Sequence, residues 1–265
     1  QNPDGGFGHG IEPDLQTPDS SALATTVAMQ ALRHVHAPAD HPLVQGAMRW
    51  FAANFNAEEE RWRFIPPTAN NAPHAPWWTI SDQHAPSFGE YLINPRAEIV
   101  GYLEEHRQSP AFGEQQEWLD TLCEKTVLHI ESKRGDLNMH DLLCIKRLIG
   151  APDLDAGVRA RLLNAAIASL PGIVATTEEE LEAYALRPTQ LAQDPRSVFA
   201  EALRDPIQID LDFLIDQQQL DGAWHPTWSW GDTFEEEWNH AELEWASVMT
   251  LEALCVLHDW GRFSL

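Results

Sequence analysis

Apolar residues recur three or four positions apart in one window after another along this chain, and Pro, Gly, Asp and Asn fill the gaps between windows. That spacing is the signature of amphipathic helices. Runs that alternate β-branched or aromatic residues with polar ones are missing, so the expected class is all-α. Asp19 and Ser20, after Pro18, are placed to cap a helix with the stripe Leu23, Val27, Ala31 and Val35. The next helix runs from Pro42, with Leu43, Ala47, Phe51 and Phe55 four apart. Asn94-Pro95 reads as a cap followed by a first-turn proline, leading into Ile99 and Leu103. Further helices are expected over 114–130, 139–149, 155–170, 195–204, 207–218 and 240–260.

Nine helices with short links imply an array of α-hairpins, or such an array closed into a ring. With 265 residues the chain can bury one substantial core, and 1–265 is expected to be a single domain. Two long irregular stretches, 61–89 and 222–235, are rich in Pro, Trp and His. Long loops on a helical scaffold are where function concentrates.

The formal net charge is −24, which repels phosphate backbones and anionic lipid, so neither nucleic acid nor a membrane surface is the expected partner. No run approaches the roughly 18 apolar residues that span a bilayer. Cys123, Cys144 and Cys255 are an odd number in a long chain, which points to free thiols and a reducing, cytoplasmic setting. The first residues, QNPDGGFGHG, lack the basic start and apolar run of a signal peptide. They read instead as the middle of a motif, so a helix preceding Gln1 is expected.

An internal echo supports a repeat. Gln1-x3-Gly5-x-Phe7 and Gln218-x3-Gly222-x-Trp224 share one spacing, with Phe213-Leu214 just ahead of the second copy. Trp50-Phe51, followed by Asn54 and Trp62, is a worn third copy. The run Phe213-Leu214-x3-Gln218-x3-Gly222-x-Trp224 resembles the QW motif of squalene and oxidosqualene cyclases, which also recurs loosely in protein prenyltransferase β subunits. The start QNPDGGFG resembles the same motif with Phe in place of Trp, and TPDSSALATTVAMQAL is similar to the beginning of an inner helix in that superfamily. These matches cover about a fifth of the chain. They imply an α/α toroid of helical hairpins around a central cavity, with Gln1, Gly5, Phe7, Gln218, Gly222 and Trp224 as scaffold.

The superfamily's catalytic strings do not carry over. The D-x-D-D acid motif has only the partial Asp210-Leu211-Asp212-Phe213, which reads as a solvated helix face. The magnesium-binding D-D-x-x-D is missing, and Asp141-x2-Cys144 has the wrong spacing for the zinc pair of prenyltransferases. Cys255-x2-His258 and His140-x3-Cys144 each supply two ligand types one helical turn apart, but no third ligand is visible. Neither a nucleophile elbow nor a phosphate-binding or dinucleotide loop is present, so no metal and no cofactor is expected.

The densest functional signal lies between Trp224 and Trp245, where five of the eleven tryptophans fall within 22 residues. Trp228, Trp230, Trp238 and Trp245 are candidate ligand contacts, and Glu236, Glu242 and Glu244 are candidate acid–base groups. Indole faces with nearby carboxylates suit a carbocation or a stacked sugar ring. Packing of the rings and a solvated helix start, with acids at its positive end, is the plain structural alternative. A second candidate is the N-terminal loop with His9, Glu12, Asp14 and Asp19, the last an acid or a helix cap. A third is His74, Trp77 and Trp78, with His84 beyond them, as a lid or cavity wall.

The leading expectation is a toroid binding a small apolar, isoprenoid-like molecule in an aromatic cavity, with acid–base lyase, isomerase or cyclase chemistry. The alternatives are a carbohydrate-active α/α barrel with an open groove, and a non-catalytic binding or scaffold protein.

Overall fold

The computed structural model describes residues 1–81, 93–109 and 115–264. Among them are ten α-helices: α1 (Ala22–His34), α2 (Pro42–Ala53), α3 (Arg96–Glu105), α4 (Gln116–Ser132), α5 (Met139–Ile149), α6 (Ala156–Ala168), α7 (Glu178–Glu182), α8 (Pro188–Leu191), α9 (Arg204–Asp216) and α10 (Glu235–Asp259). The one sheet among these residues is a two-residue hairpin, β1 (Phe55–Asn56) paired antiparallel with β2 (Arg61–Trp62). The all-α reading therefore holds. None of these helices is long and apolar enough to cross a membrane.

Local chemistry sets the helix starts. Ser21, not Asp19 or Ser20, caps α1 by accepting the Ala24 N–H at 3.0 Å. Asn138 and Asp141 form a reciprocal capping box on α5. Asp155 accepts from Gly157 and Val158 at the start of α6. Pro95 itself occupies the cap position of α3, with no side-chain cap from Asn94. The expected helix over 195–204 is instead a series of turns, because Asp194 Oδ1 takes the Arg196 N–H at 2.7 Å and bends the chain locally. The last helix begins at Glu235, five residues before the apolar stripe made it visible, on a turn of three glutamates.

The core is built around α3, whose side chains from Arg96 to Glu104 are all buried. Helices α1, α2, α4 and α5 pack against it, and α6 covers α4 and α5. The α3–α5 crossing is close: a Cβ on Gly101 would stand 2.8 Å from Leu148 Cα. Short α8 joins α5 to α9, and Met249, Ala253, Val256 and Leu257 of α10 reach the same core. The far face of α10 leaves Leu243 and Leu251 exposed.

The sequence echo is a structural repeat. Gln1 Nε2 donates to Gly5 O at 2.9 Å, and Gln218 Nε2 donates to Gly222 O at 2.9 Å. Asp4 Oδ1 accepts the Gly6 N–H and Asp221 Oδ1 the Ala223 N–H, both at 3.0 Å. The Phe7 N–H reaches Thr25 Oγ1 at 3.0 Å, and the Trp224 N–H reaches Thr250 Oγ1 at 3.1 Å. Each motif thus ties a turn to a threonine of the helix that follows it. The worn third copy shares a further bond with the second: Trp62 Nε1 donates to Phe51 O at 2.7 Å, as Trp224 Nε1 does to Leu214 O. Its left-handed position, glycine in the other copies (Gly5 φ 94, Gly222 φ 88), is held by Glu60 at φ 52.

Candidate functional site

Three irregular segments, far apart in sequence, meet at one place. The N-terminal loop is pinned at its base, where the His9 N–H donates to Thr17 O at 2.8 Å. It is then stitched to the loop after β2: Gln16 N–H to Pro73 O at 3.0 Å, and Ala75 N–H to Asp14 O at 2.8 Å. The tryptophan segment closes on both. Trp230 Nε1 and Trp245 Nε1 each donate to Asp14 Oδ1 at 2.8 Å, across 216 and 231 residues of sequence.

The rings pack against one another, Trp228 on Trp245 edge to face and the other two pairs tilted. Trp228 and Trp245 centroids lie 5.4 Å apart at 77°, Trp230 and Trp238 5.6 Å apart, and His74 and Phe234 5.5 Å apart. Ala75, Trp230, Trp238 and Ala241 form the buried centre of this cluster, with Trp78, Trp228, Phe234 and Trp245 around it. On α10, Trp238, Ala241 and Trp245 share a face because they are three and four residues apart.

Two carboxyl groups sit inside this arrangement. Glu12 is 7% exposed and Asp14 4%. Burial pushes the Glu12 carboxyl well above the usual carboxylate range, and the Asp14 charge adds to that push; the backbone N–H groups of Asp14 and Leu15 oppose it. Burial raises Asp14 too, but the Trp230 and Trp245 indole N–H groups favour its charged form. The Trp228 indole pulls the same way without reaching hydrogen-bond geometry. Both carboxyls are thus raised by burial, and the indole N–H groups oppose the shift at Asp14 alone. Glu12 Oε2 is buried with no hydrogen-bond partner among the described residues.

His74 is buried, and both its ring nitrogens are engaged, Nδ1 with Ala72 O at 2.7 Å and Nε2 with Thr79 Oγ1 at 3.1 Å. A carbonyl only accepts, so Nδ1 carries a proton. Its observed role is to pin the 73–79 loop. Trp77 is exposed at 41%. His9 is exposed and bonds Asn2 Oδ1 at 2.9 Å, and exposed Asp19 accepts from the Thr68 hydroxyl. Glu236 is exposed, Glu242 is half-buried, and Glu244 lies 3.3 Å from His240 on an outer face. The structure thus gathers Glu12, Asp14, His74, Trp78, Trp228, Trp230, Trp238 and Trp245. No hydrogen bond among the described residues joins Asp19, Glu236, Glu242 or Glu244 to them. His84 lies outside the described residues.

A second polar assembly went unseen in the sequence. Glu98, 2% exposed on α3, accepts from Gln30 Nε2 at 2.8 Å, Tyr102 Oη at 2.6 Å and Arg147 Nη1 at 3.0 Å. Arg147 Nη2 also donates to Gln30 Oε1 at 3.1 Å. Arg33 lies 4.5 Å over the Tyr102 ring, donates to Arg147 O at 3.0 Å and pairs with Glu105. The apolar stripe of α3 hid these groups, since a helix buried on every side shows no polar face to betray which charge is inside. The adjacent pair Lys146-Arg147 was the available signal.

Among the described residues no group of three His, Cys, Asp or Glu side chains is placed to hold a metal ion. Comparison with family models, curated proteins and solved structures returns no match, so the reading of this site stands on its own geometry.

Proposed function

We propose that the chain is an α/α toroid of the terpenoid cyclase and prenyltransferase kind that takes a small apolar, isoprenoid ligand against its aromatic cluster. On this reading Glu12 is the proton donor, Asp14 the fixed counter-charge, and the indoles of Trp228, Trp230 and Trp245 the groups that steady positive charge on the ligand. The observation that carries it is the buried pair Glu12 and Asp14, the first raised by burial and the second bonded by two indole N–H groups, beside a cluster of tryptophans. The repeated motif bonds at Gln1 and Gln218 support the hairpin-ring architecture. Its free cysteines fit a cytoplasmic setting, and its net charge fits a partner other than nucleic acid.

The non-catalytic reading has one observation of its own. Asp14 Oδ1 receives indole N–H groups from the opposite end of the chain, so the same cluster serves as a latch. Thermal-shift titration with prenyl alcohols, terpene hydrocarbons, prenyl diphosphates and oligosaccharides separates the readings. A ligand at 100 times its dissociation constant adds about 2.7 kcal/mol. Stabilisation by isoprenoids, with product formation lost in Glu12→Gln while stabilisation persists, is the expected result. Silence across the panel favours the latch, and a response to oligosaccharides alone favours a carbohydrate-active barrel.

A further inference from the structure

A cavity of about 460 Å³ lies beside the β1–β2 turn and shares no lining residue with the tryptophan cluster. Glu58, Glu59 and Glu60 of that turn form one wall, and Arg96 of α3 with Lys125, Leu128 and His129 of α4 form the rest. Its volume is in the range that takes a small molecule. The turn belongs to the worn third copy of the repeated motif. Asn56 Oδ1 fixes it by accepting the Glu58 and Glu59 N–H groups, both at 3.0 Å. Where the other copies place glycine, this one places Glu60 at φ 52, a conformation that residues with a side chain seldom adopt.

Arg96 is 5% exposed. Its Nε donates to Thr126 Oγ1 at 2.8 Å and its Nη1 to Glu60 O at 3.2 Å, which fixes the plane of the guanidinium. Its Nη2 is buried and has no hydrogen-bond partner among the described residues. A buried donor left without an acceptor is costly, and more so on a permanent cation. No ion pair among the described residues includes Arg96, and Glu60, the carboxylate whose charge bears on it, is already paired with Lys125. Burial holds His129 below its ordinary range, with Arg96 and Lys133 adding repulsion, so it brings no charge at neutral pH.

Matching the remaining charges leaves one of each sign. Glu59 is bonded to Arg61 at 2.7 Å and Glu60 to Lys125. Glu58 is exposed and joins no ion pair among the described residues. Arg96 and Glu58 are therefore left over, with the exposed side chain of Leu128 as an apolar surface between charged walls. A plain anion would meet Glu58 as well as Arg96, and a plain cation the reverse. A molecule that carries both charges answers both.

We propose that this cavity binds a small α-amino acid with an apolar side chain. The ligand carboxylate accepts from Arg96 Nη2, its ammonium faces Glu58, and its side chain lies on Leu128. Nη2 is closed to solvent, so binding requires the cavity wall to give. The Lys125–Glu60 pair is the part that yields: its side chains are 50% and 45% exposed, and a surface pair of this kind is weak. Once parted, Lys125 is a second donor to the ligand carboxylate. The site uses no residue of the Asp14 cluster, so it stands whether or not that cluster acts on isoprenoids.

The test titrates the full chain with L-leucine, acetate and isoamylamine by calorimetry, while the His129 ring protons, followed by NMR, report occupancy of this cavity. Leucine is expected to bind and to shift the His129 signals. Acetate and isoamylamine should each bind at least about tenfold more weakly, because each forfeits a charge-assisted contact. Glu58→Gln, a change at an exposed position, should weaken leucine by about tenfold and leave acetate no weaker. Arg96→Lys should weaken leucine and acetate alike; if that variant does not fold, the Glu58→Gln comparison decides alone. Failure of leucine to saturate, binding that leaves His129 unmoved, or acetate as tight as leucine overturns the proposal. So does a Glu58→Gln protein that binds leucine as tightly as the parent.

Discussion

Replacing Asp14 by Ala tests whether this carboxylate is what fastens the two ends of the chain together. The substitution removes the acceptor of two indole N–H groups, both 2.8 Å from Oδ1. Trp230 is 1% exposed, so its N–H cannot recover a bond to water, and an orphaned buried donor costs about 1–3 kcal/mol. Trp245 is half-buried and re-solvates in part, which puts its loss at the low end of that range. Against these stands relief of the burial that raises Asp14 in the native state. The net expectation is a loss of about 2–4 kcal/mol. Asp14→Asn keeps Oδ1 as an acceptor of the same shape and forfeits only charge assistance, so its loss should be about 1 kcal/mol. Urea unfolding followed by near-ultraviolet circular dichroism reads both quantities, with the slope of the transition checked for constancy. If Asp14→Ala unfolds within about 0.5 kcal/mol of the parent, or Asp14→Asn is as damaging as Ala, the latch is not made by these bonds.

Three further outcomes are expected. The Glu12 carboxyl is raised in the folded state, so the native protein keeps a proton that the unfolded chain has lost, and this group's contribution falls as pH climbs through and above the ordinary carboxylate range. Glu12→Gln should therefore gain stability relative to the parent as pH rises from about 4 to 8 in urea melts, and parallel profiles would refute the assignment. Gly222→Ala meets nothing within 4 Å and should cost only the left-handed strain, about 1–2 kcal/mol, whereas Gly5→Ala also drives a Cβ to 2.5 Å from Gly46 O and should cost clearly more. Equal losses at the two positions would mean the Gly46 backbone yields freely. Finally, burial pushes the Cys123 thiol up to about 12 and Cys144 well above its ordinary value, while Cys255 is half-exposed. Iodoacetamide should modify Cys255 first in the native protein, and early loss of Cys123 would contradict the described burial.

Much of the site was legible as separate pieces. The tryptophan density, the acids of the N-terminal loop and the His74 loop each stood out from composition and spacing, and the structure joins them. Their internal ranking was not legible. Glu236, Glu242 and Glu244 read as the best acids because they interleave with tryptophans, yet Trp238 and Trp245 share a helix face that Glu236 and Glu244 do not. Glu12 and Asp14, named only as members of the candidate N-terminal loop, are the buried carboxyls of this cluster. Sequence distance gave no hint that their partners lay more than two hundred residues away.

What the sequence determined by itself is whatever depends on neighbours within a few residues. Helical periodicity fixed the all-α class, and the Gln-x3-Gly-x-aromatic spacing fixed a turn that closes on itself through Gln1 to Gly5 and Gln218 to Gly222. Such bonds form inside one short segment whatever the rest of the chain does. Only the tertiary structure decided which titratable groups lost their water. Burial pushes the Glu12 carboxyl well above its usual range, and burial with Arg147 alongside brings the Lys146 amine down. Desolvation is a property of everything within several ångströms, and no local pattern of residues encodes it.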